Sequence, residues 1–188
     1  MTEGPAPGLA RRAFWFLRHG ETDWNARNLS QGNVDIPLNP TGIAQAERAA
    51  TRLVGQGIAS IVASPLSRAS RTAEIIGLRL GRPFAIDPDL REAAYGVREG
   101  QPMEDWFRAW IDGTATPAGA EIFADLRRRA SAAINRALGH PAPVLVVGHG
   151  GMFRALRAEM GLPIDVRTPN ATPILCSPGP ETWSLTPL

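Results

Sequence analysis

The chain has 188 residues, 44% of them apolar and 20% charged, with a formal net charge of +2, which describes one ordinary globular domain with its own core and excludes a disordered or strongly charged chain. All basic charge is arginine, lysine being absent, and the longest basic run, Arg127-Arg128-Arg129, lies inside a helical pattern, so no clustered face for nucleic acid is expected. The lone Cys176 excludes an internal disulfide or a Cys-rich zinc module and fits a reducing, cytoplasmic setting, and no apolar run is long enough to span a bilayer.

Residues 1–12, "MTEGPAPGLARR", lack the apolar stretch of a signal peptide and read as a disordered tail, with one domain over 13–188. Strands and helices then alternate. "AFWFL" (13–17) is a buried-strand candidate. A helix follows over 39–57: Asn39 can cap it, Pro40 suits its first position, and Gly57 ends it. Ile43, Ala46, Ala50, Leu53 and Val54 form its apolar stripe. "IASIVA" (58–63) predicts a second strand, Ser64-Pro65 to Gly81 a second helix, and "PFAID" (83–87) a weaker third strand. Met103, Trp106, Phe107, Trp110 and Ile111 fall at helical spacing. They read as core of a helix that shields a pocket, with some members facing substrate. A loop over 113–119 precedes a helix from about 120 to 138. "PVLVVG" (143–148) is the strongest strand, "GMFRALRAEMG" a short helix, and "ILC" and "WSL" are extended candidates near the end. Such alternation predicts an α/β domain with a mostly parallel sheet.

Ligands of open α/β sheets bind beyond the carboxyl ends of the strands. Arg18 and His19 follow the first strand, Arg68 the second, Glu92 the third and His149 the fourth. Two guanidiniums suit phosphate oxygens. A histidine can serve as nucleophile, and a glutamate of raised pKa can protonate a leaving oxygen. Gly20, Gly148, Gly150 and Gly151 permit close backbone approach. The set describes phosphoryl transfer through a phosphohistidine. A metal triad of His19, His149 and a carboxylate is the competing reading, but two adjacent arginines would repel a cation. No metal and no cofactor are therefore expected.

These segments resemble the histidine phosphatase superfamily, also called the phosphoglycerate-mutase-like family. "LRHGETDWN" is similar to its Arg-His-Gly signature, and "SPLSRASRTAE" to the segment with the second phosphate-binding arginine. "LREAAYGVREG" resembles the acid segment and "VVGHGGMFRAL" that of the second histidine, with weaker echoes in "QGNVDIPLNPTGIAQA", "GAEIFADLRRR" and "PNATPIL". The resemblance implies a three-layer α/β/α sandwich whose mostly parallel sheet has an antiparallel edge strand. It also implies roles: His19 as nucleophile; Arg18, Arg68, His149, Asn25 and Gly150 around the phosphoryl group; Glu92 as acid and base. Asp87, Asp89 and Glu99 are competing carboxyls, Glu21 reads as structural, and His140 as a helix-end residue. Arg154 is open between a site role and surface pairing. Ile122 stands where the family commonly has serine, a departure that the resemblance places in the substrate region.

The family contains phosphatases and mutases. From residue 93 to the long helix only Arg98 and Arg108 are basic, which caters poorly for a second phosphate. The expectation is a small-branch phosphatase acting on a small phosphorylated metabolite, with mutase chemistry and a non-catalytic phospho-ligand sensor as alternatives. The compact size also resembles α-ribazole phosphatases. Oligomeric state is not legible.

Overall fold

The computed structural model describes residues 8–188. Along the chain it places β1 (Phe14–Arg18), α1 (Asp23–Ala26), α2 (Pro40–Leu53), β2 (Ser60–Ala63), α3 (Ser67–Leu80), β3 (Phe84–Ile86), α4 (Asp105–Ile111), α5 (Phe123–Ala137), β4 (Val144–Gly148), α6 (Gly150–Glu159), β5 (Ile174–Pro178) and β6 (Trp183–Pro187). The strands form one sheet in the order β3-β2-β4-β1-β5-β6. β3, β2, β4 and β1 run parallel, and β5 runs antiparallel to both its neighbours. The antiparallel strand therefore lies inside the sheet rather than at its edge, and β6 closes that side.

Alternation along β1 explains the three layers. Phe14 and Phe16 point into a core with Leu126, Ala130 and Ile134 of α5 and Phe153 and Leu156 of α6. Trp15 and Leu17 point the other way, onto Ala49 and Leu53 of α2 and Ala73 and Ile76 of α3. Both faces being covered, the central strands read as unbroken apolar runs. Phe16 stacks on Phe153 with ring centroids 4.2 Å apart. Burying such side chains contributes about 1.5–3 kcal/mol each, which fixes the strand ends that carry the polar groups.

Several expected boundaries move. α2 stops at Leu53, capped at its start by the Asn39 side chain, which accepts from the Gly42 N–H. Val54 has left the helix and is 52% exposed, so the stripe continues through Ala49 instead. Gly55 and Gly57, with φ of +84° and +70°, turn the chain toward β2. α3 begins at Ser67, because Ser64 is engaged elsewhere, and the carboxylate of Asp35 accepts from the Ser67 N–H. α5 begins at Phe123; Ile122 before it is exposed. Of the expected tail, residues 1–7 lie outside the described residues. Leu9 and Ala10 pack against the core, and the Ala10 N–H donates to Asn135. Each arginine of the 127–129 run meets an acid: Glu159, Asp125 and Glu121 in turn.

Candidate active site

Parallel pairing sets Arg18 beside Gly148 at the carboxyl ends of β1 and β4. The next residues, His19 and His149, then face each other with ring centroids 5.2 Å apart. The His19 N–H donates to the Gly148 carbonyl, and the Ser64 N–H to that of Val147, so three strand ends are stitched at one level. Both imidazoles are buried.

Hydrogen bonding fixes how the rings present themselves. Nδ1 of His19 lies 2.7 Å from the Gly20 carbonyl oxygen. A carbonyl only accepts, so Nδ1 carries the proton and Nε2 offers its lone pair. Nε2 of His149 lies 2.7 Å from Ser64 Oγ, which also accepts from the Leu66 N–H. The other ring nitrogen of His149, Nδ1, is buried and has no partner among the described residues. Burial holds both histidines well below their usual pKa, and the charges of Arg68 and Arg18 push the same way.

Arg18 and Arg68 are the cations responsible. Arg68 is fully buried and donates to the carbonyls of Gly32 and Val34 at 2.8 and 2.9 Å. Arg18 donates to the Thr168 carbonyl at 2.9 Å. Burial lowers the pKa of both, that of Arg18 to about 10, with Glu92 partly offsetting it. The Nε of each is buried without a partner, like Nδ1 of His149. Buried polar atoms are normally bonded. All three belong to groups set against His19: the two guanidiniums act on its charge, and the His149 ring lies 5.2 Å away.

Glu92 arrives from the turn after β3. Its Oε1 accepts from the Ala93 and Met152 N–H groups, and Oε2 from that of Gly151, at 2.9–3.0 Å. It thus caps the start of α6, where a carboxylate complements the helix dipole. It is a well-bonded carboxyl rather than one isolated among apolar groups, and Oε2 keeps an unused lone pair. A Cβ on Gly151 would lie 2.8 Å from Glu92 Oε1 and 2.4 Å from the Tyr95 hydroxyl, so the contact requires glycine. The Gly150 N–H makes no hydrogen bond among the described residues, and Gly150 lies beside the Arg18 guanidinium.

Asn25 lines the same cavity, of about 300 Å³. Its Oδ1 accepts from the Thr22 N–H, closing a capping box on α1, and from Asn170 Nδ2. Its amide nitrogen makes no hydrogen bond to the described residues. Met103, Phe107 and Ile111 of the aromatic stripe form the apolar wall, while Trp110 is wholly buried behind them.

The other expectations sort as follows. Asp87 and Asp89 pair with Arg136 away from the cavity. Glu21 accepts from Asn39, and His140 is exposed past α5. Ile122 does not line the cavity. Glu99 is a brace: its Oε1 accepts from the Asn33 and Tyr95 N–H groups, holding the loop whose carbonyls grip Arg68. Among the described residues no three His, Cys, Asp or Glu side chains converge as metal ligands.

Sequence reasoning missed Ser64, Thr72, Glu121, Arg129 and Asn170. Thr72 Oγ1 accepts from the Gly20 N–H, and Asn170 donates to the His19 carbonyl. Arg129 forks onto Glu121 and donates to the carbonyls of Asp89, Arg91 and Glu92, pinning the Glu92 backbone to α5. All five lay in segments that carried a signal, Ser64 and Thr72 in "SPLSRASRTAE", Glu121 and Arg129 in "GAEIFADLRRR" and Asn170 in "PNATPIL", but nothing in those segments singled them out. Counting basic residues before α5 also understated the pocket's charge. Arg154 from α6 and Arg167 from the following loop line the cavity with Arg108, whereas Arg98 lies over the Trp106 ring.

Buried cations and two histidines at the carboxyl ends of parallel strands define a phosphoryl-transfer type of site. The chain belongs to the histidine phosphatase superfamily (branch 1), whose model matches residues 14–174. A probable phosphoglycerate mutase, GpmB, of Yersinia pestis is 39% identical over 162 residues, covering 79% of this chain and 75% of that protein. A mycobacterial glucosyl-3-phosphoglycerate phosphatase, solved in complex with VO3, is 30% identical, with a TM-score of 0.81 over 93% of this chain and 97% of that one. Bacillus stearothermophilus YhfR has a TM-score of 0.81 at 28% identity, over 93% and 95% of the two chains.

Proposed function

We propose that the protein is a phosphomonoesterase that works through a phosphohistidine on His19 and needs no metal. The observation that carries the reading is the set of three unpartnered buried nitrogens, on Arg18, Arg68 and His149, on residues grouped with an imidazole whose free nitrogen is Nε2. In the first step Nε2 attacks phosphorus and the bond to the leaving oxygen breaks. Glu92 gives that oxygen a proton from Oε2. Charge on the three remaining phosphoryl oxygens is met by Arg18, Arg68, His149, Asn25 and the Gly150 N–H. In the second step water attacks the phosphohistidine, Glu92 takes the water's proton, and the N–P bond breaks to give phosphate and free His19. The depressed pKa of His19 supports this, since the attacking imidazole must be neutral. The phosphatase named among the solved relatives supports the substrate class, small phosphorylated metabolites.

A mutase cycle is the second reading, favoured by the name of the 39% identical relative. Phosphate release from a panel of sugar phosphates, nucleotides, α-ribazole phosphate and 3-phosphoglycerate, in EDTA and with His19→Ala as blank, separates the two. His19-dependent release is the expected result. Interconversion of 2- and 3-phosphoglycerate without release would replace hydrolysis by the mutase cycle.

A further inference from the structure

The turn between α6 and β5 bonds to three groups of the site at once. Its Thr168 carbonyl accepts from the Arg18 guanidinium at 2.9 Å, and its Ala171 N–H donates to the Arg18 carbonyl at 2.8 Å. Between them, Nδ2 of Asn170 lies 2.9 Å from the His19 carbonyl oxygen and 3.2 Å from Asn25 Oδ1. An amide nitrogen carries two hydrogens, and here both have an acceptor. The peptide that joins His19 to Gly20 is thus bonded on both sides, its carbonyl by Asn170 and its N–H by Thr72 Oγ1 at 3.1 Å. Asn25 is constrained too. Its Oδ1 also accepts from the Thr22 N–H at 3.3 Å, so a flipped Asn25 amide would set its nitrogen against two donors. Ala171 closes the turn with φ of +44°, a left-handed conformation that disfavours a residue with a Cβ. Such a conformation persists where surrounding contacts over-determine the backbone, as the bonds to Arg18, His19 and Asn25 do.

We propose that Asn170 is a positioning residue: through one amide nitrogen it fixes the His19 backbone and the direction of the Asn25 amide together, so that the nucleophile and a phosphate-binding amide keep one geometry. This rests on the phosphohistidine reading of the same site. Asn170 is not among the residues lining the cavity, whereas His19 and Asn25 both are, so its effect passes through them. Both of its acceptors are carbonyl oxygens, which means that the place needs a donor rather than bulk. A group that aims a nucleophile acts on rate and on anion affinity, because small misplacements leave the near-attack geometry. A group that only fills space acts on stability.

The test is calorimetric binding of inorganic phosphate, with kcat on a phosphomonoester measured beside it. Asn170→Ala should weaken phosphate binding and lower kcat by about tenfold each, the scale of one lost buried hydrogen bond. Asn170→Ser, which keeps one donor, should recover part of the loss. Asn170→Leu, which keeps the bulk without a donor, should recover none. The readout that a merely structural role would not move is the coupling to Asn25. Asn25→Ala should cost about tenfold in phosphate affinity in the wild type but less than about threefold in the Asn170→Ala protein, where the Asn25 amide is already misdirected. Wild-type affinity and kcat in Asn170→Leu, or the same Asn25→Ala loss on both backgrounds, would overturn the positioning role. If Asn170→Ala does not fold, Asn170→Ser takes its place in the cycle, and equal Asn25→Ala losses again overturn the role. A wild-type protein that binds no phosphate would overturn the proposal together with the reading it rests on. Phosphate binding with the expected coupling but no turnover would sink hydrolysis and leave the positioning role standing.

Discussion

His19 and His149 share a buried space with two guanidiniums, and that placement sets the pH behaviour of the site. Burial first, then Arg68 and Arg18, keeps His19 neutral well below its ordinary pKa of about 6.5. The acid limb of kcat/KM is therefore expected below pH 6.5, not centred on it; a limb at about 6.5 would mean that His19 titrates as an exposed imidazole. Glu92 makes a different demand. Glu92→Gln keeps an oxygen for the α6 N–H groups but cannot deliver a proton from Oε2. Alkyl phosphates, whose leaving oxygen needs that proton, should slow by about 10²–10⁴-fold, and aryl phosphates much less. Equal losses for both classes would remove Glu92 from the leaving-group step.

The start of α6 joins the scaffold to the chemistry. Glu92 caps it, Gly151 makes room for the cap, and Arg129 holds the Glu92 backbone from α5. Gly151→Ala should lower kcat with little loss of helix, because the new methyl displaces the Glu92 carboxyl and the Tyr95 hydroxyl; wild-type kcat would show that the contact relaxes freely. A comparable interlock lies at α2, where a Cβ on Gly42 would stand 2.0 Å from the Glu21 carbonyl oxygen. Gly42→Ala should cost about 1–3 kcal/mol in a denaturation midpoint, as overpacking does. Much of this region was legible beforehand. Strand ends carrying Arg18, His19 and His149 followed from apolar runs that stop at polar residues, and Asn39 and Pro40 marked the start of α2 correctly. Ser64 did not, because Ser-Pro reads as a helix start while its hydroxyl is spent on His149. Arg129 read only as part of a basic run inside a helical pattern, since its partners come from residues 89–92 and 121, joined only in three dimensions. The place of β5 was hidden for the same reason, as its register depends on which edge of β1 is left free by β4.

Across the whole molecule, the pocket stores unfavourable charge in the empty state. Two histidines kept neutral in the folded protein become protonated on unfolding below about pH 6.5. The unfolded chain then binds more protons, so stability is lost as pH falls from 6.5 toward the folded values, by up to about 1.4 kcal/mol per pH unit for each histidine. Scanning calorimetry at pH 7.5, 6.5 and 5.5 should show Tm dropping chiefly over the lower interval, and an even or absent drop would contradict buried neutral rings. An anion that binds the set of unpartnered nitrogens relieves the Arg18–Arg68 repulsion and binds only the folded state. Saturating phosphate or vanadate should therefore raise Tm, by about 2.7 kcal/mol in stability at a hundredfold excess over Kd.

The most direct test of the central claim is to trap the covalent intermediate. The protein would be mixed with a phosphomonoester that it turns over, quenched in alkali, where phosphohistidine survives, and mapped by peptide mass. One phosphoryl group on the peptide containing His19, absent in His19→Ala, is the expected result. Turnover with no phosphorylated peptide, or with the group on another residue, would contradict it.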